Sequence, residues 1–302
     1  MKVVFLLVPQ LHLLDLAGPA QVFSTARDLG LDYELQYAAE RDDIPSAQGL
    51  PVRRTTGLSP LTPSDLIVVA GWRSHGFPSN GRLSPSTRAW LAAHHAAGGT
   101  CASVCSGADA LGQAGLLDGR RCTTHHVLQD RLATRYPRAK VLKDVLFVID
   151  DRVVTSAGIA SGIDLALHLV ATRHGPGLAA QIAREMVVYA RRNGDDPQDS
   201  AMLRHRAHLS DVVHRVQDVI DAHFTDRLPL RDLASTAGVS ERTLTRLFGD
   251  ATGLTPLRYQ QLLRVERAEH LIGHGATVES AARAAGFEDA RMLRRLRSRR
   301  LH

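Results

Sequence analysis

The sequence is poor in cysteine, with only Cys101, Cys105 and Cys122 among its 302 residues. Three cysteines are an odd number and too few for a disulfide framework, which predicts a reducing, cytoplasmic environment. No apolar run approaches the roughly 18 residues that a membrane-spanning helix needs. The N-terminal apolar run is short and ends at Pro9, which predicts a buried first strand rather than a secretory signal.

Lysine is absent from the last hundred residues, where every basic side chain is an arginine. Residues 203–302 hold 17 arginines against 12 acidic residues, whereas residues 1–202 hold 20 basic residues against 19 acidic ones. Nearly all of the net charge of +6 therefore lies in the C-terminal third. A compact basic region beside a neutral one favours an anionic polymer as partner, with a solvated arginine-rich surface as the alternative.

The first two thirds of the chain alternate short apolar runs with helical patterns. Strands are predicted at Val3–Val8, Tyr33–Ala38, Leu66–Ala70, Thr100–Val104, Val145–Ile149 and Val153–Thr155. Amphipathic helices are predicted at Pro19–Leu29, Ser86–Ala97, Ala108–Leu116 and Ile163–Thr172. This alternation predicts an α/β domain with a mostly parallel sheet, a flavodoxin-like sandwich.

A polar segment, Arg191–Ser200, contains Gly194 and Pro197 as breakers and predicts a linker. We therefore divide the chain into an α/β domain at 1–193, a linker at 194–208 and an all-α domain at 209–302.

The all-α region contains an internal repeat, in which the sequence from Leu230 aligns with that from Val278 at an offset of 48. In the first copy Gly238 suits a left-handed turn, and Ser240 suits the N-cap of a second helix. The exposed face of that helix would carry side chains able to reach phosphates and base edges in a major groove: Arg242, Thr243, Thr245 and Arg246.

The segment Ala234–Ile272 resembles the AraC/XylS-type DNA-binding domain, through Gly253, Pro256, Tyr259, Arg264 and Ala268. The second copy resembles that family's second helix-turn-helix. The resemblance implies two recognition helices in successive major grooves of double-stranded DNA. In the second copy the DNA-facing residues would be Arg291, Arg294 and Arg295.

The second copy departs from the family pattern, because the offset places its counterpart of Gly253 at residue 301. Its closing segment would then be missing, and we expect a loosely packed second recognition helix. We expect an arginine cluster to hold phosphates there without sequence preference: Arg294, Arg295, Arg297, Arg299 and Arg300.

Cys105 follows an apolar strand and precedes a helical pattern, through the turn Cys105-Ser106-Gly107. A cysteine at a helix N-terminus favours the thiolate, and the same amides can receive an oxyanion. The alternative is a buried structural cysteine, which is our interpretation of Cys101 and Cys122.

The N-terminal region resembles the PfpI/ThiJ-type domain of the class I glutamine-amidotransferase-like superfamily, in the segments Phe5–Phe23, Ala102–His126 and Val153–Val170. The resemblance implies that Cys105 is the elbow cysteine, Asp15 the acid beside it and His125 the site histidine. Gly71 would offer a backbone amide, and the candidate pocket would also include Ser106, Asp109 and His126.

Two residues depart from this family's pattern and make the pocket more polar: Asp109 and His126. A carboxylate at position 109, one helical turn after the thiol, would raise the pKa of Cys105 by like charge. Alternatively, Asp109 points to solvent or bonds to a pocket group.

An α/β domain of this type joined to an AraC-type domain is the architecture of GlxA-like bacterial regulators. We therefore expect a homodimeric, non-catalytic transcriptional regulator that binds promoter DNA and senses a small molecule at the Cys105 pocket, without metal or cofactor. Two alternatives are a cysteine-dependent amidase or isonitrile hydratase, and a redox or electrophile sensor modified at Cys105.

Overall fold

The structure, a computed structural model, describes residues 1–73, 77, 82–188, 192–198, 200–273 and 275–298. Two units share the chain, residues 1–198 and 199–302. Within the described ranges, no helix is both long and apolar enough to cross a membrane. Arg299 and Arg300 of the predicted phosphate cluster, and Arg191 and Asp199 of the predicted linker, lie outside the described residues.

The strands of the first unit are β1 (Lys2–Leu6), β2 (Glu34–Ala38), β3 (Asp43–Pro45), β4 (Pro51–Arg53), β5 (Leu66–Val69), β6 (Thr100–Val104), β7 (Arg121–Cys122), β8 (Lys140–Val141), β9 (Phe147–Asp150) and β10 (Val153–Ser156). The main sheet has the order β2-β1-β5-β6-β10-β9. Its neighbours are parallel, except that β9 runs antiparallel to β10. All six predicted strands lie in this sheet, so the α/β prediction is confirmed.

The helices of the first unit are α1 (Leu13–Asp28), α2 (Pro85–Ala96), α3 (Ala108–Gln113), α4 (Gln129–Arg135), α5 (Ser161–His174) and α6 (Pro176–Glu185). They cover both faces of the sheet. Phe5 packs in a core with Phe23 of α1 and Leu165 of α5, and the next residue, Leu6, packs in a second core with Leu91 of α2. Burial on both faces explains why the central strands are continuously apolar.

Helix α1 begins at Leu13, earlier than the predicted start at Pro19, which lies inside the helix. A proline inside a helix lacks one backbone hydrogen bond. The additional turn is nevertheless formed because Asp15 and Leu16 are buried there and tertiary packing outweighs local preference.

The helices of the second unit are α7 (Ala201–Arg204), α8 (Asp211–His223), α9 (Leu230–Ala237), α10 (Glu241–Thr252), α11 (Pro256–Gly273), α12 (Val278–Ala284) and α13 (Ala290–Ser298). A first core joins α8, α9 and α10 to the start of α11. A second core joins the rest of α11 to α12 and α13. Leu293 and Leu296 are buried in that second core, so the expectation of a loosely packed second recognition helix is wrong for residues 290–298.

Described residues in and beside the predicted linker pack against the two units. Arg192 donates to Asp164 Oδ2 at 2.6 and 2.9 Å, and Phe147 N donates to Gly194 O at 3.0 Å. Further along, Ala201 is buried in the first core of the second unit. The domain boundaries at 193/194 and 208/209 stay predictions.

Candidate functional site

Cys105 lies where β6 ends, as the first residue of the short 3-10 turn Cys105–Gly107 that precedes α3. This confirms the predicted strand-turn-helix. The φ angle of Cys105 is 56°, a left-handed conformation that side chains other than glycine rarely adopt. Such strain persists only where surrounding packing imposes it, and it concentrates at functional sites.

Two glycines pack against Cys105 so closely that no side chain fits at either position. A Cβ atom on Gly71 would lie 2.7 Å from Cys105 Cβ and 2.4 Å from Asp15 Oδ2. A Cβ atom on Gly158, whose φ is +117°, would lie 2.4 Å from Cys105 Cβ and 2.9 Å from its Sγ. Cys105 is consequently only 6% exposed, and its thiol is enclosed by backbone.

The pKa of the Cys105 thiol is raised well above its ordinary value, first by burial and then by the nearby Asp15 carboxyl. The Ser106 N–H favours the thiolate but is outweighed. From the sequence we expect a helix terminus to lower this pKa. The terminus is weak because the turn spans three residues and α3 only six, whereas desolvation of a buried thiolate is expensive.

Asp15, in the first turn of α1, is fully buried. Its Oδ1 accepts a hydrogen bond from Ile159 N at 2.7 Å. Its Oδ2 is buried without a well-formed hydrogen bond and lies beside the thiol. Burial raises the pKa of Asp15 to about 6. The structure thus brings together Asp15, Gly71 and Cys105, three of the predicted site residues.

His125 does not hydrogen-bond to the Cys105 thiol in the part of the chain that the structure describes. Its ring lies 4.4 Å from that of His126. Its pKa is lowered by burial and then by His126 and His12, and its Nδ1 is buried without a partner. The imidazole is therefore neutral near pH 7 and retains unused hydrogen-bonding capacity.

Asp109 does not contribute to the Cys105 site. Its Oδ1 accepts hydrogen bonds from Tyr136 Oη at 2.7 Å and pairs with Arg135 Nε at 3.0 Å, while its Oδ2 accepts from Gln113 Nε2 at 2.7 Å. Asp109 is fully buried in this cluster. The expectation that its charge raises the thiol pKa is wrong, because Asp15 is the carboxylate beside the thiol.

Ser106 has a structural role in the same turn. Its Oγ accepts from Trp72 N at 2.7 Å and donates to Trp72 O at 2.8 Å. These two bonds hold the segment after β5, which includes Gly71, against the Cys105 turn. The hydroxyl of Ser106, a predicted pocket residue, is therefore occupied by the backbone of Trp72.

Sequence reasoning missed Gly158, Ile159 and His12 as neighbours of the site. The glycine lies in the quoted segment Val153–Val170, but its role depends on a contact with Cys105, 53 residues away. Ile159 has a φ of 49°, which is an outlier for a β-branched residue. Among the described residues, no group of three or more His, Cys, Asp or Glu could hold a metal ion.

In the second unit, α10 has the predicted start. Gly238 is left-handed with φ 69°, and Ser240 Oγ accepts from Thr243 N at 3.2 Å as the N-cap. Leu244 and Phe248 are buried. Four side chains of its other face are exposed: Glu241, Arg242, Thr245 and Arg246. Thr243 is half-buried, and its hydroxyl lies 2.9 Å from Ser240 Oγ, so it serves the cap.

Helix α13 presents arginines on its exposed face. Asp289 Oδ1 accepts from Arg291 N at 2.7 Å at the start of the helix. Arg291, Arg294 and Arg295 are exposed. Arg294 forms an ion pair with Glu279 at 2.5 Å. A weaker exposed pair in α10 joins Arg246 to Asp250 at 3.2 Å. Exposed pairs of this kind are worth little and exchange readily for phosphates.

Comparison with known proteins matches residues 1–172 to the DJ-1/PfpI family and residues 233–302 to a helix-turn-helix domain. The HTH-type transcriptional regulator CdhR of Pseudomonas aeruginosa is 30% identical over 287 residues, 94% of this chain and 84% of that protein. An isonitrile hydratase of Pseudomonas putida is 33% identical over 192 residues, 63% of this chain and 79% of that protein.

A solved structure shares the fold of part of the chain. The crystal structure of an AraC family transcriptional regulator from Pseudomonas putida superposes with a TM-score of 0.53 at 24% identity, over 61% of this chain and 98% of that one.

Proposed function

Because this chain belongs to the DJ-1/PfpI family and is a DNA-binding transcriptional regulator with an AraC-type helix-turn-helix domain, we propose a division of roles between its two units. Helices α10 and α13 read the DNA. The α/β unit senses a small molecule and pairs two copies, and it does not catalyse a reaction.

The observation that carries the first role is the exposed face of α10. Its N-terminus is capped, its apolar side is buried, and Arg242, Thr245 and Arg246 are exposed. These side chains can contact base edges once the helix enters a major groove. In α13, the exposed Arg291, Arg294 and Arg295 supply the second contact, and Arg295 binds phosphates.

A binding-site selection tests this role. The full-length chain is incubated with duplexes that carry 40 randomised base pairs, and retained duplexes are sequenced after several rounds. We expect one enriched motif, and we expect Arg242→Ala and Arg246→Ala to bind it with lower affinity than the wild type. Arg258→Ala, at a half-buried position of α11, serves as a control outside the proposed contacts. Enrichment of no motif would reject sequence-specific reading.

Absence of catalysis is supported by the state of Cys105. A nucleophile must be activated by a base or by a lowered pKa. Here burial and Asp15 raise the pKa of the thiol, and in the described residues no histidine is hydrogen-bonded to it. The isonitrile hydratase relative keeps an enzymatic role as the second candidate.

A small-molecule effector at this site is supported by unsatisfied polar atoms. Among the described residues, the buried Asp15 Oδ2 has only the weak Cys105 thiol donor beside it, and His125 Nδ1 is buried without a hydrogen-bond partner. Buried polar groups without partners are costly. A polar effector that donates to the carboxylate or bonds to the imidazole would remove that cost, and its binding would stabilise the α/β unit.

A paired measurement on the wild type and Cys105→Ala separates sensing from catalysis. We expect neither protein to hydrolyse small amides or hydrate isonitriles. We expect both to bind the selected duplex with equal affinity. Turnover by the wild type that disappears in Cys105→Ala would establish the enzymatic candidate. A DNA affinity that changes on oxidation only when Cys105 is present would establish the redox sensor.

A further inference from the structure

The two helix-turn-helix modules share one helix, α11, that enters both cores. Tyr259 and Leu263 belong to the first core, and Val265 and Ala268 to the second. Arg264 lies between these two sets. A single helix that enters two small cores would let the modules bend and twist about its axis unless a further contact joins them.

Arg264 supplies such a contact, because its guanidinium reaches the turn at the end of α8. Its Nε donates to Phe224 O at 2.6 Å, and one terminal nitrogen donates to Thr225 O at 3.2 Å and to Asp226 O at 2.7 Å. Gln260, one helical turn earlier, donates to Phe224 O at 2.9 Å and to Asp226 O at 2.7 Å. A cation at carbonyls that end a helix is also electrostatically favourable.

The second module touches the same turn from the other side. Gly286, which ends α12 with a φ of +82°, lies so close to Thr225 that a Cβ atom would be 2.2 Å from Thr225 O and 2.7 Å from its Cα. The neighbouring Phe287 is buried in the second core, and the Arg264 guanidinium lies 5.9 Å from its ring centre. The turn 224–226 is therefore held by α11 and by both modules.

We propose that Arg264 is a positioning residue that sets the spacing and rotational phase between the recognition helices α10 and α13. We name the contact of Arg264 and Gln260 with residues 224–226, and of that turn with Gly286, the clasp. The clasp makes the chain selective for one separation between the two DNA segments that its modules read.

The geometry of DNA turns this rigidity into specificity. Each inserted base pair rotates the second segment by about 34° and moves it by about 3.4 Å, since a turn of about 34–36 Å contains 10–10.5 base pairs. A rigid pair of modules cannot follow that change and loses base contacts of one module. A pair released from the clasp can rotate about α11 and keep both.

The experiment starts from the duplex enriched by the full-length wild type, in which each module's segment is located by footprinting with Arg246→Ala and Arg294→Ala. One and two base pairs are then inserted between the segments. We expect the wild type to lose about 10-fold or more in affinity for each inserted duplex, as for a lost base contact. A wild type that binds all three duplexes within about twofold would overturn the proposal without any variant.

The variant for the clasp is Arg264→Lys, which keeps the charge but removes the planar fork that reaches three carbonyls. We expect its penalty for the inserted duplexes to fall to about threefold or less, with native helix content by circular dichroism. The matched control is Arg267→Lys on the exposed face of α11, which keeps the wild-type penalty.

Other outcomes are equally decisive. If Arg264→Lys weakens binding to all duplexes by one common factor, Arg264 supports affinity or stability but not phase, and the proposal is rejected. If Arg264→Lys does not fold, the wild-type insertion series and the milder variant Gln260→Met test the proposal instead. The measured quantity is again the affinity for the selected duplex divided by the affinity for each inserted duplex. If selection enriches no motif, sequence-specific reading itself fails, which is a different result from tolerance of spacing.

Discussion

The backbone N–H of Ile159 donates a 2.7 Å hydrogen bond to the buried Asp15 carboxylate. This bond connects the loop before α5 to the first turn of α1, across the Cys105 turn. It also stabilises Ile159 in a left-handed conformation with φ 49°, so the geometry of the loop depends on the carboxyl group that lies beside the thiol.

The contribution of Asp15 to the stability of the α/β unit is expected to fall as pH rises from about 4 to about 6. Burial raises the pKa of Asp15 from 3.8 to about 6, so the folded state binds more protons than the unfolded state within that window. The ionised carboxylate then costs about 3 kcal/mol of unfolding free energy at pH 7. Asp15→Asn should be more stable than the wild type at pH 7 and similar at pH 4.

Urea titrations at pH 4, 5, 6 and 7 measure this. Both tryptophans, Trp72 and Trp90, lie in the first unit, so their fluorescence reports its unfolding separately. A wild-type stability that rises from pH 4 to pH 6 relative to Asp15→Asn would contradict the assignment.

The Cys105 thiol is expected to react slowly with iodoacetamide at pH 8, because only the thiolate is nucleophilic and burial raises its pKa. Asp15→Asn removes the second cause of that shift and should accelerate alkylation. Peptide mass spectrometry over time measures both rates. Cys101 is an internal control, because it is fully buried and its pKa is raised by burial rather than by Asp15. Its alkylation rate should therefore not change in Asp15→Asn. An equal acceleration at both cysteines would indicate general loosening instead.

Gly158→Ala should destabilise the first unit by about 2–4 kcal/mol, because the new Cβ collides with Cys105 and the φ of +117° is unsuited to alanine. Gly177→Ala is the matched control in α6, where nothing lies within 4 Å of the added atom. It should be neutral or stabilise by about 0.5–1 kcal/mol. The urea midpoints of both variants are measured by tryptophan fluorescence. A Gly158→Ala variant as stable as the wild type would refute the packing argument.

Arg246→Ala should weaken binding to the selected duplex more than binding to a random duplex, by about 1–3 kcal/mol. Arg297, half-buried and paired with Glu269 at 3.4 Å, should contribute mainly to phosphates. Its alanine variant should weaken both duplexes alike and reduce the salt slope by about 1. Fluorescence anisotropy over a salt series measures these effects. Equal losses on both duplexes for both variants would reject the assignment of Arg246 to base reading.

The full-length chain should sediment as a dimer, at twice 32.9 kDa, at micromolar concentration. One copy presents two recognition helices, α10 and α13, to the DNA. Two linked copies on adjacent sites gain affinity through effective concentration. A monomer in sedimentation velocity runs, both with and without the selected duplex, would reject this.

The sequence by itself determined the elements whose signals are local. Six short runs predicted the six strands of the main sheet. The central strand β5 is continuously apolar because it is buried on both faces. Gly238 and Ser240 predicted the turn and cap of α10, since left-handed backbone and N-caps depend on a few adjacent residues. The shortest strands, such as β7 and β8, were missed because two residues carry no period.

Tertiary structure alone decided which side chains meet. The sequence places Asp109 four residues after Cys105. Its partners Tyr136 and Arg135 lie more than twenty residues later in the chain, at the end of α4. Likewise, Asp15 reaches Cys105 only because α1 packs beside the carboxyl ends of β1 and β6, and Gly286 reaches Thr225 only because α11 joins two cores. Local sequence specifies which face of an element is apolar, whereas the partner on that face is selected by the packing of the whole domain.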